Sequence, residues 1–123
     1  MLFVCQHGAG KSRLAAAWFN HAPPPGWRAT TAGVEPQDQV SVHAPRLLAG
    51  TAAEPMLDHA LPRPISAITQ PALVIAIDCA VPDATSWHLD ADQFDDVMTG
   101  EIRQRVGELT CQLQAQPTPA SVL

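Results

Sequence analysis

The residues best equipped for chemistry are consecutive: Cys5, Gln6, His7, Gly8, Ala9, Gly10, Lys11 and Ser12. An apolar run ends at a thiol, a glycine-containing loop follows, and helix-forming residues begin near Ser12. Open α/β sheets bind ligands outside the carboxyl ends of their strands. At such a junction the N–H groups of the loop and of the helix start converge and favour an anion. The same field favours the thiolate form of Cys5. Lys11 adds a positive charge, and Ser12 can donate a hydrogen bond to sulfur. Cys5 is therefore the candidate nucleophile toward a tetrahedral oxyanion, and Gln6, His7, Gly8, Ala9, Gly10, Lys11 and Ser12 are the candidate oxyanion-binding residues. Two other readings stay open. Gly10-Lys11-Ser12 matches the end of a nucleotide P-loop, although the first glycine of that motif would fall on Cys5. Cys5 can also be an ordinary buried strand residue, as free cysteines often are.

The elements that must position this loop follow from pattern. Residues 1–5 read as a short buried strand and 12–20 as a helix rich in good helix formers. The segment HAPPPG at 21–26 must break that helix. Residues 27–32 suit a strand by β-branched and aromatic content, and 41–49 suit a helix with Pro45 near its first turn. The stretch 50–64 carries no legible pattern, and 65–68 holds at most a poor strand. LVIAI at 73–77 is apolar on both faces, as a central parallel strand should be. Residues 87–90 form a short strand or loop edge. Residues 93–113 read as a long helix, with Phe94, Val97, Ile102, Val106, Leu109 and Leu113 at helical spacing. Residues 116–123 look like a flexible tail. Alternating strands and helices predict an α/β fold: one three-layer domain over residues 1–115, a parallel sheet with helices on both faces.

Composition narrows the function classes. With 123 residues, 46% hydrophobic and 15% charged, the chain can form one core without a disulfide or metal staple. Twelve acidic residues against seven Lys and Arg give a net charge of −5, which argues against a nucleic-acid or anionic-membrane binder. It leaves room for a local anion pocket. Three cysteines, at 5, 79 and 111, are too few and odd in number for a secreted disulfide framework. No apolar run approaches the roughly 20 residues of a membrane span. A reduced, cytoplasmic protein is expected. The histidines show no metal-ligand spacing, so no metal and no bound cofactor are expected. Arg13, directly after the loop, reads as a solvated helix charge.

LFVCQHGAGKSRLAAAWF resembles the opening of the arsenate reductases related to low-molecular-weight protein tyrosine phosphatases, whose signature is a cysteine, five residues and Arg-Ser between the first strand and first helix. The resemblance continues in Ala32-Gly33-Val34-Glu35-Pro36 with Asp38-Gln39-Val40, in Val74 to Cys79, in Trp87-His88-Leu89-Asp90 and in Ile102 to Val106. It implies a four-stranded parallel sheet and thiol-dependent oxyanion chemistry, either arsenate reduction or a phosphatase-like reaction through Cys5. It also implies a thioredoxin- or glutaredoxin-type external reductant and a resolving role for Cys79, while an acid role falls to Asp90 or Asp92 only from a shifted loop. Three departures stand out. Lys11 replaces the arginine whose planar fork grips two oxygens at once. Gly8 replaces the asparagine that braces the loop, so a looser loop is expected. Ala91 occupies the general acid's place, between Asp90 and Asp92. These departures keep a second function open: a catalytically weakened pseudoenzyme that binds an oxyanion or acts as a regulatory module.

Overall fold

The computed structural model describes residues 1–39 and 41–115. Four parallel strands, β1 (Leu2–Cys5), β2 (Thr30–Gly33), β3 (Val74–Ile77) and β4 (Thr85–Trp87), lie in the order β2-β1-β3-β4. The helices are α1 (Lys11–His21), α2 (His43–Leu48) and α3 (Asp96–Ala115), with single 3-10 turns at Glu54–Met56 and Ile65–Ala67. β1 and β3 are the inner strands, and all four residues of β1 are buried. Leu2 pairs with Thr30 on one side and Val74 on the other, and Val4 pairs with Ala32 and Ala76.

Helix α1 ends at His21, just before the prolines. Asn20 closes the break: its amide donates to the Ala29 carbonyl at 3.0 Å and its oxygen accepts the Ala29 N–H at 2.8 Å. That clasp lets β2 start at Thr30 rather than at residue 27, and leaves Trp27 as a non-strand residue packed on the core. At α3, the Asp95 carboxylate accepts the N–H groups of Val97 (3.0 Å) and Met98 (3.3 Å), the cap that starts the helix. Its buried stripe is Met98, Ile102, Val106 and Leu109. Val97, expected on that stripe, stands 70% exposed in the first turn.

The main core lies between the sheet and helices α1 and α3. Phe3 is its centre, edge-to-face with Phe19 at 6.0 Å and tilted against Trp87 at 5.8 Å. The Arg103 guanidinium sits 4.6 Å over the Trp18 ring, tying α3 to α1. On the opposite face Leu2, Val4 and Ala32 are covered by Ile65, Ile68 and Val81. The strand expected at 65–68 is instead the 3-10 turn Ile65–Ala67. Among the described residues the segment pairs with the sheet edge only through the isolated Gly33–Pro64 bridge. Pro64 has no N–H to extend a ladder, so the two isoleucines cap the sheet face rather than widen the sheet. The last strand also starts earlier than expected and ends at Trp87, which is buried in the core. Among the described residues no helix is long and apolar enough to cross a membrane. The tail expected at 116–123 lies outside the described residues.

Truncating Ile102, fully buried, to Ala is expected to cost about 2–5 kcal/mol in urea unfolding. The same truncation at exposed Val97 is expected to stay within about 0.5 kcal/mol.

Candidate active site

The first crossover runs from β1 to β2 on one side, and β3 joins β1 on the other. This reversal opens a crevice at the carboxyl ends of β1 and β3. Cys5 ends β1, and Asp78 directly follows β3. A cavity of about 230 Å³ lies there, lined by Cys5, Gln6, His7, Ala9, Gly10, Lys11, Ile77 and Asp78. Gln37, Ser41, His43 and Phe94 complete its wall. Cys5 lines the cavity and is only 5% exposed. The Ser12 hydroxyl, fully buried, lies 3.2 Å from the Cys5 sulfur.

The loop between Cys5 and Lys11 is held by its carbonyls. Those of Cys5, Gln6 and His7 accept the N–H groups of Val34 (3.1 Å), Glu35 (2.8 Å) and Gln37 (3.3 Å). The Gly8 carbonyl accepts Nε of Arg13 at 2.9 Å. In a planar trans peptide the N–H points opposite to the carbonyl of the same unit. The amides of Gln6, His7, Gly8 and Ala9 are therefore turned away from these partners. Among the described residues, no backbone amide from Gln6 to Ser12 donates to a protein acceptor. A run of unclaimed amides beside a thiol is an arrangement that can accept an anion.

Gly8 makes the turn possible. It has φ +65°, and a Cβ there would lie 2.7 Å from the Gly33 nitrogen. Gly33 is equally constrained, because its own Cβ would lie 2.6 Å from the His7 carbonyl carbon. The two glycines let the loop press against the end of β2. At the other end the Phe94 ring covers Gly10, 2.9 Å from where a Cβ would stand, and stacks at a tilt on His43.

Arg13 is not a solvated charge. It is 2% exposed, and besides Gly8 it bonds the Asp58 carbonyl at 2.7 Å. Burial lowers its pKa while Asp58 raises it. The loop that was expected to be loose thus has a brace from the helix below it. Asp58 in turn pairs with Arg63 at 2.8 Å, and Arg63 reaches the Thr31 carbonyl of β2 at 3.0 Å.

The cavity's cation does not stand alone. Lys11 Nζ is 2.8 Å from Asp78 Oδ2, and both groups are roughly three-quarters buried (28% and 24% exposed). Asp78 Oδ1 accepts the Leu89 N–H at 2.9 Å. Burial opposes the charged form of Asp78, but the bonds from Lys11 and Leu89 outweigh it and hold the carboxyl below the usual carboxylate range. Asp78 is one of three non-glycine residues with positive φ among the described residues, at +51°. Such strain clusters at functional sites. Asp78 was absent from the sequence-derived site. The signal was its place after the strand next to β1, where an open sheet gathers its ligand groups.

The structure brings Cys5, the loop, Lys11 and Ser12 together. Within that loop Gln6 is tied to Glu35 (3.0 Å), and the His7 ring lies 3.2 Å from the Glu35 carbonyl. It does not bring Asp90 or Cys79 to the cavity. Asp90 is exposed; its N–H and that of Ala91 are held by the two oxygens of Glu101, at 2.8 and 2.9 Å. Asp92 is exposed as well. The Cys79 thiol donates to the Val4 carbonyl at 3.5 Å, and its sulfur packs with the cluster on the other sheet face. Burial first, and Cys5 second, push that thiol's pKa up. Cys111 is exposed on α3. Among the described residues no three His, Cys, Asp or Glu side chains are grouped to hold a metal.

No protein-family model matches the chain, and no curated protein does. Solved structures do. An arsenate reductase from Archaeoglobus fulgidus superposes with a TM-score of 0.70 at 30% identity, over 89% of this chain and 98% of that one. This chain is a divergent member of the arsenate reductase and low-molecular-weight protein tyrosine phosphatase family. A thioredoxin-dependent arsenate reductase from Corynebacterium glutamicum is similar at TM-score 0.69 and 25% identity, over 92% of this chain and 60% of that one. An arginine phosphatase, YwlE from Geobacillus stearothermophilus, shares the fold at TM-score 0.66 and 19% identity, over 92% and 91%. Within the family frame, the departures at positions 8 and 11 have structural answers. Arg13 holds the Gly8 carbonyl, and Asp78 accompanies Lys11.

Gly8→Ala is expected to lose about 1–3 kcal/mol from the φ constraint alone, read by urea unfolding. The clash with Gly33 adds to that loss. Asp58 and Asp78 both have depressed folded-state pKa values. Their stabilisation is therefore present above the unfolded carboxyl pKa near 4 and lost as pH falls through the folded values. Urea midpoints measured from pH 6 down to pH 3 are expected to fall, and Asp58→Asn is expected to flatten that fall.

Proposed function

We propose that this protein carries out thiol-dependent oxyanion chemistry at Cys5, with arsenate as the oxyanion and an external dithiol as reductant. One observation carries the reading: Cys5 lines a cavity beside a run of amides that no protein acceptor among the described residues claims. Ser12 is placed to donate its hydroxyl to the thiolate. The likeness to an arsenate reductase over nearly the whole of both chains supports it.

The Cys5 thiolate attacks arsenic, forming an S–As bond. An As–O bond breaks, and the oxygen leaves as water after taking a proton. A thiol of a thioredoxin- or glutaredoxin-type reductant then attacks the Cys5 sulfur. The S–As electron pair goes to arsenic, which leaves as arsenite, and a mixed disulfide forms. The reductant's second thiol displaces the Cys5 thiolate. Arsenic gains two electrons, and the two reductant thiols lose them as one disulfide. The second thiol comes from outside because Cys79 faces Val4 on the other side of the sheet. Phosphomonoester hydrolysis is less well served, since it needs an acid at the leaving oxygen. Asp90 stands outside the cavity, and Asp78 is held ionised.

Cys5→Ser is expected to abolish arsenite formation in a thioredoxin-coupled assay. Asp90→Asn is expected to leave the rate unchanged, and a large loss would move the acid role back to the 90–92 loop. A second reading, an oxyanion-binding module without turnover, is favoured by the Lys11–Asp78 ion pair, which offsets the site's one lysine. Under that reading wild type and Cys5→Ser show the same background rate. Arsenate still raises the melting temperature, and Lys11→Arg restores measurable turnover.

A further inference from the structure

We propose that Asp78 makes this cavity selective for tetrahedral oxyanions that still carry a hydroxyl hydrogen, arsenate and phosphate, over sulfate, which carries none. This rests on reading the Cys5–Ser12 loop as an anion cradle and adds the chemical class that the cradle accepts.

The carboxylate lines the same cavity as Cys5 and Lys11, and two anchors fix it there. Its backbone N–H donates to the Trp87 carbonyl at 2.9 Å, and its Oδ1 accepts Leu89 at 2.9 Å. Oδ2 is on Lys11 at 2.8 Å. An anion drawn to Lys11 and the loop amides must therefore come close to a second negative group. Like charges at such a site repel unless a hydrogen lies between them. An ionised carboxylate only accepts hydrogen bonds, and with about four lone-pair sites it retains capacity beyond Lys11 and Leu89. At neutral pH hydrogen phosphate and hydrogen arsenate each keep at least one hydroxyl, which can donate to Asp78. Sulfate offers four acceptor oxygens and no donor, so it meets the carboxylate with nothing to share. The lysine departure strengthens the effect. An ammonium paired with Asp78 contributes little net charge, leaving neutral amides to hold the anion and the carboxylate to sort it. Asp78 is thus a specificity-determining residue, distinct from the nucleophile and from the amides.

The test is protection of Cys5 from iodoacetamide by inorganic phosphate, arsenate and sulfate at pH 7, matched for ionic strength and read by mass spectrometry of the Cys5 peptide. In the wild type, phosphate and arsenate are expected to protect at concentrations roughly tenfold or more below sulfate, the scale of one charge-assisted hydrogen bond. Asp78→Asn keeps an oxygen for Leu89, tolerates positive φ and adds an N–H donor, so it is expected to bring sulfate level with phosphate. Equal protection of the wild type by sulfate and phosphate overturns the proposal without needing the variant. A wild-type preference that persists unchanged in Asp78→Asn overturns it as well. If no anion protects either protein, the cradle itself is refuted, and the selectivity falls with it.

Discussion

Three carbonyls at the end of β1 are held by the chain that leaves β2, and a fourth is held by a buried guanidinium. Peptide planarity does the rest. Once those oxygens are engaged on one side, the hydrogens of the same peptide units must face the other. The site exists because the neighbouring segment at Val34, Glu35 and Gln37 supplies donors at the spacing of the loop's acceptors. The parallel pairing of β1 with β2 sets that spacing, since Cys5 lies opposite Gly33. The close approach is possible only because Gly8 and Gly33 lack side chains. Loop, second strand and first helix form one mechanical unit, and Arg13 is its bolt.

The departures from the family pattern read as a linked set within that unit. A glycine at position 8 gives up a bracing side chain but permits contact with Gly33, and its carbonyl is secured from below by Arg13. The cost is a guanidinium 2% exposed, with one terminal nitrogen that finds no partner among the described residues. Lysine at position 11 gives up a bidentate grip and is accompanied by Asp78 across the crevice. Charge in the cavity is thereby balanced before any ligand arrives, and amide dipoles are left as the main attraction for an anion.

Local pattern revealed the parts of the fold that local physics controls. LVIAI could be little other than an inner strand, and HAPPPG could only end a helix. Cys5 to Ser12 stood out as a candidate anion loop through its glycines and its place between strand and helix, and the structure leaves its amides without a protein acceptor among the described residues. What stayed hidden depends on contacts distant in sequence. Residues 65–68 have strand-like composition, but Pro64 cannot extend a ladder, so Ile65 and Ile68 cap a sheet face. Val97 keeps helical spacing with Ile102 yet lies in the first turn after the Asp95 cap, facing water. Arg13 looked like a surface charge because nothing near it in the chain predicts the Asp58 carbonyl. Asp78 directly follows the apolar run at 73–77, with no local pattern that marks it as a site residue. Only the strand order shows that it faces Cys5 across the crevice.

The central claim, that the amides after β1 are free and form the anion site, is tested most directly by phosphate titration followed through backbone amide NMR. Downfield proton shifts are expected for Gln6, His7, Gly8, Ala9 and Gly10, saturating together with one affinity. The amides of Val34 and Glu35, already bonded to the loop carbonyls, are expected not to move. Saturable shifts confined to other parts of the chain, or none in the loop at phosphate concentrations that protect Cys5, would contradict that claim.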